Sequence, residues 1–108
     1  MKNFSRSSNV AKKYNVKLTF NARKDLEHIF FYIAEDSLNN AHNFILELEQ
    51  KIYSLDTMSE RFALISENVF FCTNYRQIIH NKYRVIYKIS GESVYIMRVV
   101  HGAKLIAL

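Results

Sequence analysis

From Tyr14 the chain alternates: Tyr14, Val16, Leu18 and Phe20 are apolar, with Asn15, Lys17 and Thr19 between them. A period of two is that of a strand with one buried face, so a first strand is predicted over residues 14–20. The period then lengthens. Ala22, Leu26, Ile29, Phe30 and Ile33 recur at three- and four-residue steps, the spacing of one helix face, in a helix capped by Asn21 and ending near Asp36. SLNN (37–40) supplies a break and a fresh cap. Ala41, Phe44, Ile45, Leu48, Ile52 and Leu55 repeat the helical spacing from about Asn40 to about Leu55, with Glu47, Glu49 and Lys51 turned outward. Two such helices with a short joint predict a helical hairpin.

Residues 56–74, DTMSERFALISENVFFCTN, show neither period, and a connection of that length is functional or hides short elements. VFFC is a candidate start of a strand. YRQIIH, KYRVIYKIS and SVYIMRVVH then follow as β-rich runs, separated by Asn81–Lys82 and by Ser90–Gly91–Glu92. The predicted architecture is α+β, in the order β-α-α-β-β-β: an antiparallel sheet with an N-terminal helical hairpin packed on one face. In the last two strands, Tyr83, Val85, Tyr87 and Ile89 alternate with Arg84, Ile86, Lys88 and Ser90, and Val94, Ile96, Arg98 and Val100 alternate with Tyr95, Met97, Val99 and His101. Neither side is purely polar, so periodicity leaves open which face meets the helices.

Composition narrows the class. The chain has 108 residues, 49% of them hydrophobic, no Pro and two Gly, which predicts one compact domain over 14–108 preceded by a basic arm over 1–13. No apolar stretch is long enough for a secretory signal or a membrane span, so a cytoplasmic protein that does not enter membranes is expected. Cys72 is the single cysteine; it excludes an internal disulfide and a cysteine-based zinc site, and is expected to be a small buried apolar residue. No metal or other cofactor is implied. Charge is segregated: residues 1–24 hold seven Lys or Arg and no acid, 25–60 hold eight acids and one Lys, and 75–104 hold six Lys or Arg against Glu92 alone. A basic surface of this kind attracts phosphate or an acidic protein.

The opening VKLTFNARKDLEHIFFYIAED, the tract NYRQIIHNKYRVIYKI and the ending VYIMRVVHGAK, in that order, resemble the ParE/RelE superfamily of toxins from bacterial type II toxin–antitoxin systems. The resemblance spans roughly residues 14–104. It implies a small toxin held inactive by a cognate antitoxin whose acidic or amphipathic tail lays a helix over the hairpin and, in some members, a strand along the sheet edge. A toxin dimer or a toxin–antitoxin heterotetramer is also implied. ParE-like members poison DNA gyrase and perform no chemistry, while RelE-like members cut messenger RNA on the ribosome; whether the chain is an enzyme depends on which it follows.

Cutting RNA without a metal requires a base at the 2′-hydroxyl, an acid at the leaving 5′-oxygen, and cations around the phosphate. His80, Arg84 and His101 are the candidates for that catalysis, the histidines because their ordinary pKa lies near neutrality. Arg76, Lys82, Arg98 and Lys104 are candidates for target or phosphate contact, Arg76 and Arg98 with the alternative of pairing to the acidic helices. Tyr83 and Tyr87 are candidates for base stacking or for the core. The tail reads HGAKLIAL, with Gly102 where many RNA-cutting relatives carry Arg and no Tyr or His beyond it. That ending resembles the ParE-like version, so gyrase inhibition is the leading expectation, with a ribosome-dependent endoribonuclease and a plain RNA-binding module as alternatives.

Overall fold

The computed structural model describes residues 13–102; the arm predicted over 1–13, except Lys13, and the tail with Lys104 lie outside the described residues. β1 (Asn15–Leu18) leads into α1 (Phe20–Ala34) and α2 (Leu38–Tyr53). A short α3 (Leu55–Met58), a 3₁₀ turn (Ser59–Arg61) and α4 (Asn68–Phe71) follow, then β2 (Arg76–His80), β3 (Tyr83–Ser90) and β4 (Ser93–His101). The fold class and element order are those the sequence predicts. The sheet order is β1-β4-β3-β2. β2, β3 and β4 are antiparallel neighbours, while β1 joins β4 in parallel, making the sheet mixed. Parallel pairing follows from the hairpin, because two helices between β1 and the other strands return the chain to the sheet in the same direction.

Helix starts are set by side-chain oxygens. Thr19, not Asn21, caps α1, accepting from the Ala22 amide at 3.1 Å. Its hydroxyl also donates to the carbonyls of Ile96 at 2.8 Å and Met97 at 3.1 Å, tying the helix entry to β4. Ser37 caps α2 through the Asn40 amide. Asn81 takes the positive-φ position of the β2–β3 turn and Gly91 that of the β3–β4 turn, the residue types that tolerate left-handed backbone.

The main core lies between the hairpin and one sheet face. Leu48, Ile52 and Leu55 meet Val85, Tyr87, Val94 and Ile96, all fully buried, each such side chain contributing about 1.5–3 kcal/mol. Tyr87 belongs to this core, with its hydroxyl donating to the Ser59 carbonyl at 2.6 Å, and burial pushes its pKa up to about 12. A β-bulge at Met97 shifts the register between Ile86 and Tyr87. Past it, Val99 rather than Arg98 joins the helix-side core. On the opposite face the 62–75 connection folds down and buries Ile86 and Val100 under Ile65 and Tyr75.

VFFC does not begin a strand. Val69, Phe70 and Phe71 form α4 and are exposed, at 82%, 84% and 40%, and Cys72 is exposed rather than buried, closing α4 with φ of 53°. The connection is shaped by Asn68, whose side chain accepts from the Tyr75 amide and the Thr73 hydroxyl and donates to the Tyr75 carbonyl. Those bonds close residues 68–75 into a compact turn, while the Phe70 and Phe71 amides donate to the Glu67 carbonyl instead of to a strand ladder.

Candidate functional site

The two candidate histidines share a row. His80 of β2 and His101 of β4 are both register partners of Tyr83 on β3, so all three side chains emerge on the helix-facing side. Phe44 of α2 packs on the row, 5.1 Å from the His80 ring and 5.6 Å from the Tyr83 ring, and Tyr83 lies 5.7 Å from His101. His80 is only 9% exposed, and neither ring nitrogen has a hydrogen-bond partner among the described residues. Glu47 Oε1 stands 3.7 Å from Nε2. Burial and then the Lys51 ammonium push the His80 pKa below its ordinary value, against the pull of Glu47. His101 is exposed at the end of β4.

Arg84, one residue along β3 from Tyr83, emerges on the opposite face. It is buried there, its Nε donating to Gln77 Oε1 at 2.7 Å and its Nη1 and Nη2 to the two carboxylate oxygens of Glu67 at 2.7 and 2.8 Å. The Arg84 guanidinium holds the Glu67 carboxyl down at about 2. The proposed catalytic trio is therefore divided: two aromatic-packed histidines on the helix side and a neutralised arginine on the other.

Arg98 is also paired. Its Nε donates to Asp25 Oδ2 at 2.7 Å and its Nη2 to Oδ1 at 2.9 Å, which raises the Arg98 pKa. Asp25 Oδ2 accepts from the Val99 amide at 2.8 Å as well. Arg76 donates from Nη1 to the Phe62 carbonyl at 2.6 Å. Lys82 is exposed in the β2–β3 turn, its carbonyl accepting from the Gly102 amide. Of the two sequence alternatives for Arg98, pairing with an acidic helix is the one formed; Arg76 instead bonds a carbonyl.

Asp25 and Glu67 hold cations instead of a ligand. For Asp25 charge segregation is the available signal, since an acidic segment beside a basic one invites pairing; Glu67 lies in the aperiodic connection, outside that segment. Among the described residues no group of His, Cys, Asp or Glu is placed to hold a metal, and no helix is long and apolar enough to cross a membrane.

A family model described as the ParE toxin of the type II toxin–antitoxin system parDE matches residues 16–106. No curated protein matches the sequence. The chromosomal ParDE toxin–antitoxin system from P. aeruginosa contains a chain of the same fold, with TM-score 0.69 and 16% identity over 84% of this chain and 98% of that one. The RelBE2 toxin–antitoxin complex from Mycobacterium tuberculosis contains another, with TM-score 0.55 and 23% identity over 85% of this chain and 94% of that one. At those identities the two structures speak to the fold alone.

Proposed function

The chain belongs to the ParE toxin family of type II toxin–antitoxin systems, and from that membership we propose that it inhibits DNA gyrase without performing chemistry, and that a cognate antitoxin holds it inactive. The observation that carries this reading over RNA cutting is the division of the candidate trio. Metal-free RNA cleavage needs a base, an acid and uncompensated cations converging on one phosphate. Here His80 and His101 share one face with Tyr83, while Arg84 lies on the other with its charge taken by Glu67. A surface on which the candidate histidines and the candidate arginine do not converge still serves a toxin that works by occupying a protein–DNA complex.

Toxin freed of antitoxin and titrated into gyrase with relaxed plasmid is expected to block supercoiling and to accumulate cleaved DNA. Intact supercoiling at a large excess of folded toxin, with messenger RNA cut on translating ribosomes, would overturn the reading.

The antitoxin's place is supported by apolar side chains left outward on the hairpin: Phe31 at 62%, Leu38 and Leu46 at 57%, and Tyr53 at 52% exposure. Leu38, Leu46 and Tyr53 recur along α2 at steps of eight and seven, so they form one stripe that an amphipathic helix can cover. Ile79, 48% exposed on the edge strand β2, offers a place for an added strand. The substitution Leu46→Glu is expected to weaken antitoxin binding at least tenfold, or about 1.4 kcal/mol, and to leave toxin folding unchanged. Titration calorimetry against the cognate antitoxin checks this; unaltered affinity would move the interface off α2.

A further inference from the structure

With Arg84 and Arg98 held by carboxylates, the outer-face cations of the sheet left to a partner lie elsewhere. Lys17 of β1 and Lys88 of β3 are register partners of the same residue, Tyr95 of β4. Val16 and Leu18, Val94 and Ile96, and Tyr87 and Ile89 turn toward the helices, so Lys17, Tyr95 and Lys88 form a row on the outer face. The Tyr95 ring holds both ammonium groups, Lys17 Nζ at 5.9 Å and Lys88 Nζ at 5.7 Å from its centroid.

Neither lysine has a carboxylate partner among the described residues. In the adjoining row Asn15, Ser93 and Ser90 are register neighbours, all neutral and able to donate hydrogen bonds. The other adjoining row holds Arg98 opposite Ile86.

We propose that the Lys17–Tyr95–Lys88 row is a contact site for the phosphodiester backbone of a nucleic acid. Two lysines two strands apart on a sheet stand about 10 Å from each other. They gain nothing from one another, and without an anion they leave an uncompensated positive strip. The ring stabilises each ammonium by a cation–π contact and confines its flexible stem, so less side-chain entropy is lost when a phosphate arrives. A nucleic-acid strand carries a negative charge about every 3.4 Å along its axis, so one strand laid across the row presents phosphates to both lysines at once. In the neutral row beside it the exposed Asn15 and Ser90 supply donors for further backbone oxygens, and the row holds no carboxylate to repel them. Recognition of this kind is independent of base sequence. The site does not rest on gyrase as the target, because it predicts binding to nucleic acid in the absence of any enzyme.

The test is fluorescence anisotropy with the full-length toxin and a short labelled DNA duplex, the matching single-stranded DNA and its RNA counterpart, between about 50 and 200 mM salt. The double variant Lys17→Gln/Lys88→Gln is expected to bind the duplex at least tenfold more weakly. Its slope of log affinity against log salt should be shallower by about 1.8, the loss of two phosphate contacts. Tyr95→Leu should weaken binding severalfold with both charges present. The control Arg23→Gln/Lys24→Gln removes the same charge from the exposed side of α1 and should leave the slope unchanged. Melting temperatures establish that each variant folds. A control that loses the same slope would reduce the effect to net charge and overturn the site, as would unaltered binding by Lys17→Gln/Lys88→Gln or competition by millimolar inorganic phosphate as effective as unlabelled duplex.

Discussion

Arg84→Met is expected to lower the stability of the domain by about 3 kcal/mol, because it leaves the Glu67 carboxylate buried beside an apolar side chain. The two side chains are 11% and 12% exposed, so water screens the pair little and the figure for breaking a buried pair applies in place of the small one for surface bridges. In a domain of this size that is a fall of roughly 15 °C in melting temperature. The pair does more than join two charges. Glu67 lies at the start of α4, and its two bonds to Arg84 draw the 62–75 connection onto the outer face, where Ile65 covers Ile86 and Val100.

Replacing both partners, Arg84→Met with Glu67→Leu, should recover much of the loss, since no unpaired charge remains buried. The same pair sets a pH dependence. The Glu67 carboxyl, held at about 2 in the folded protein, titrates near 4.3 when unfolded. Its contribution is therefore complete above about pH 5 and is lost as pH falls toward about 2. Urea denaturation across that window should show the wild type losing stability more steeply than Arg84→Met. A cost below about 0.5 kcal/mol for Arg84→Met, or parallel pH profiles, would mean that the connection is held by apolar contacts alone.

The sequence made the main elements legible because helical stripes run from Ala22 to Leu55 and β-forming runs bounded by turn residues run from Arg76 to His101. Three features broke the reading. The bulge at Met97 inserts one residue into β4. As a result Val94, Ile96 and Val99 face the helices, a set that no strict alternation contains, and the inward face could not be identified from the sequence. The outer face is itself partly buried, so Ile86 and Val100 added apolar positions to the side expected to be polar. In residues 62–75 the backbone is organised by Asn68 and Glu67 side chains, interactions that leave no periodic trace, and the apolar run VFF is outward.

Candidate chemistry was legible as residue types but not as pairings. The sequence identified Arg84 and Arg98 as cations on the sheet, and it identified an acidic helical segment. Which carboxylate meets which guanidinium is decided by the third dimension. The register placed His80 and His101 beside the same tyrosine and Arg84 behind them, which changes the chemistry available without changing any residue. Tyr95 drew no attention because an alternate tyrosine in a strand is ordinary; it gains meaning only when β1 adds Lys17 beside it.

Asp25→Ala is expected to cost about 3 kcal/mol, comparable to breaking the other pair, since one carboxylate serves three donors. β1 stops at Leu18 after pairing with Ile96, so beyond that point the β4 edge has no strand beside it. Asp25 fills the gap: it accepts from the Val99 amide at 2.8 Å and pairs with Arg98, docking α1 against the edge that β1 leaves. Thr19 does the same for the carbonyls of Ile96 and Met97. The helix entry thus replaces a strand residue by residue around the bulge. Without Asp25, Val99 loses its acceptor and Arg98 its counter-ion. Because Arg98 is partly exposed, at 23%, water takes up some of its charge, and Asp25→Asn, which retains an acceptor, should cost about half as much. Amide hydrogen exchange separates this mechanism from a general loosening. Val99 should lose most of its protection in Asp25→Ala at once, while Val100, whose register partner is Arg84 on β3, should exchange only at the rate set by global unfolding. Equal acceleration at both amides would mean that Asp25 stabilises the domain through α1 alone and does not close the β4 edge.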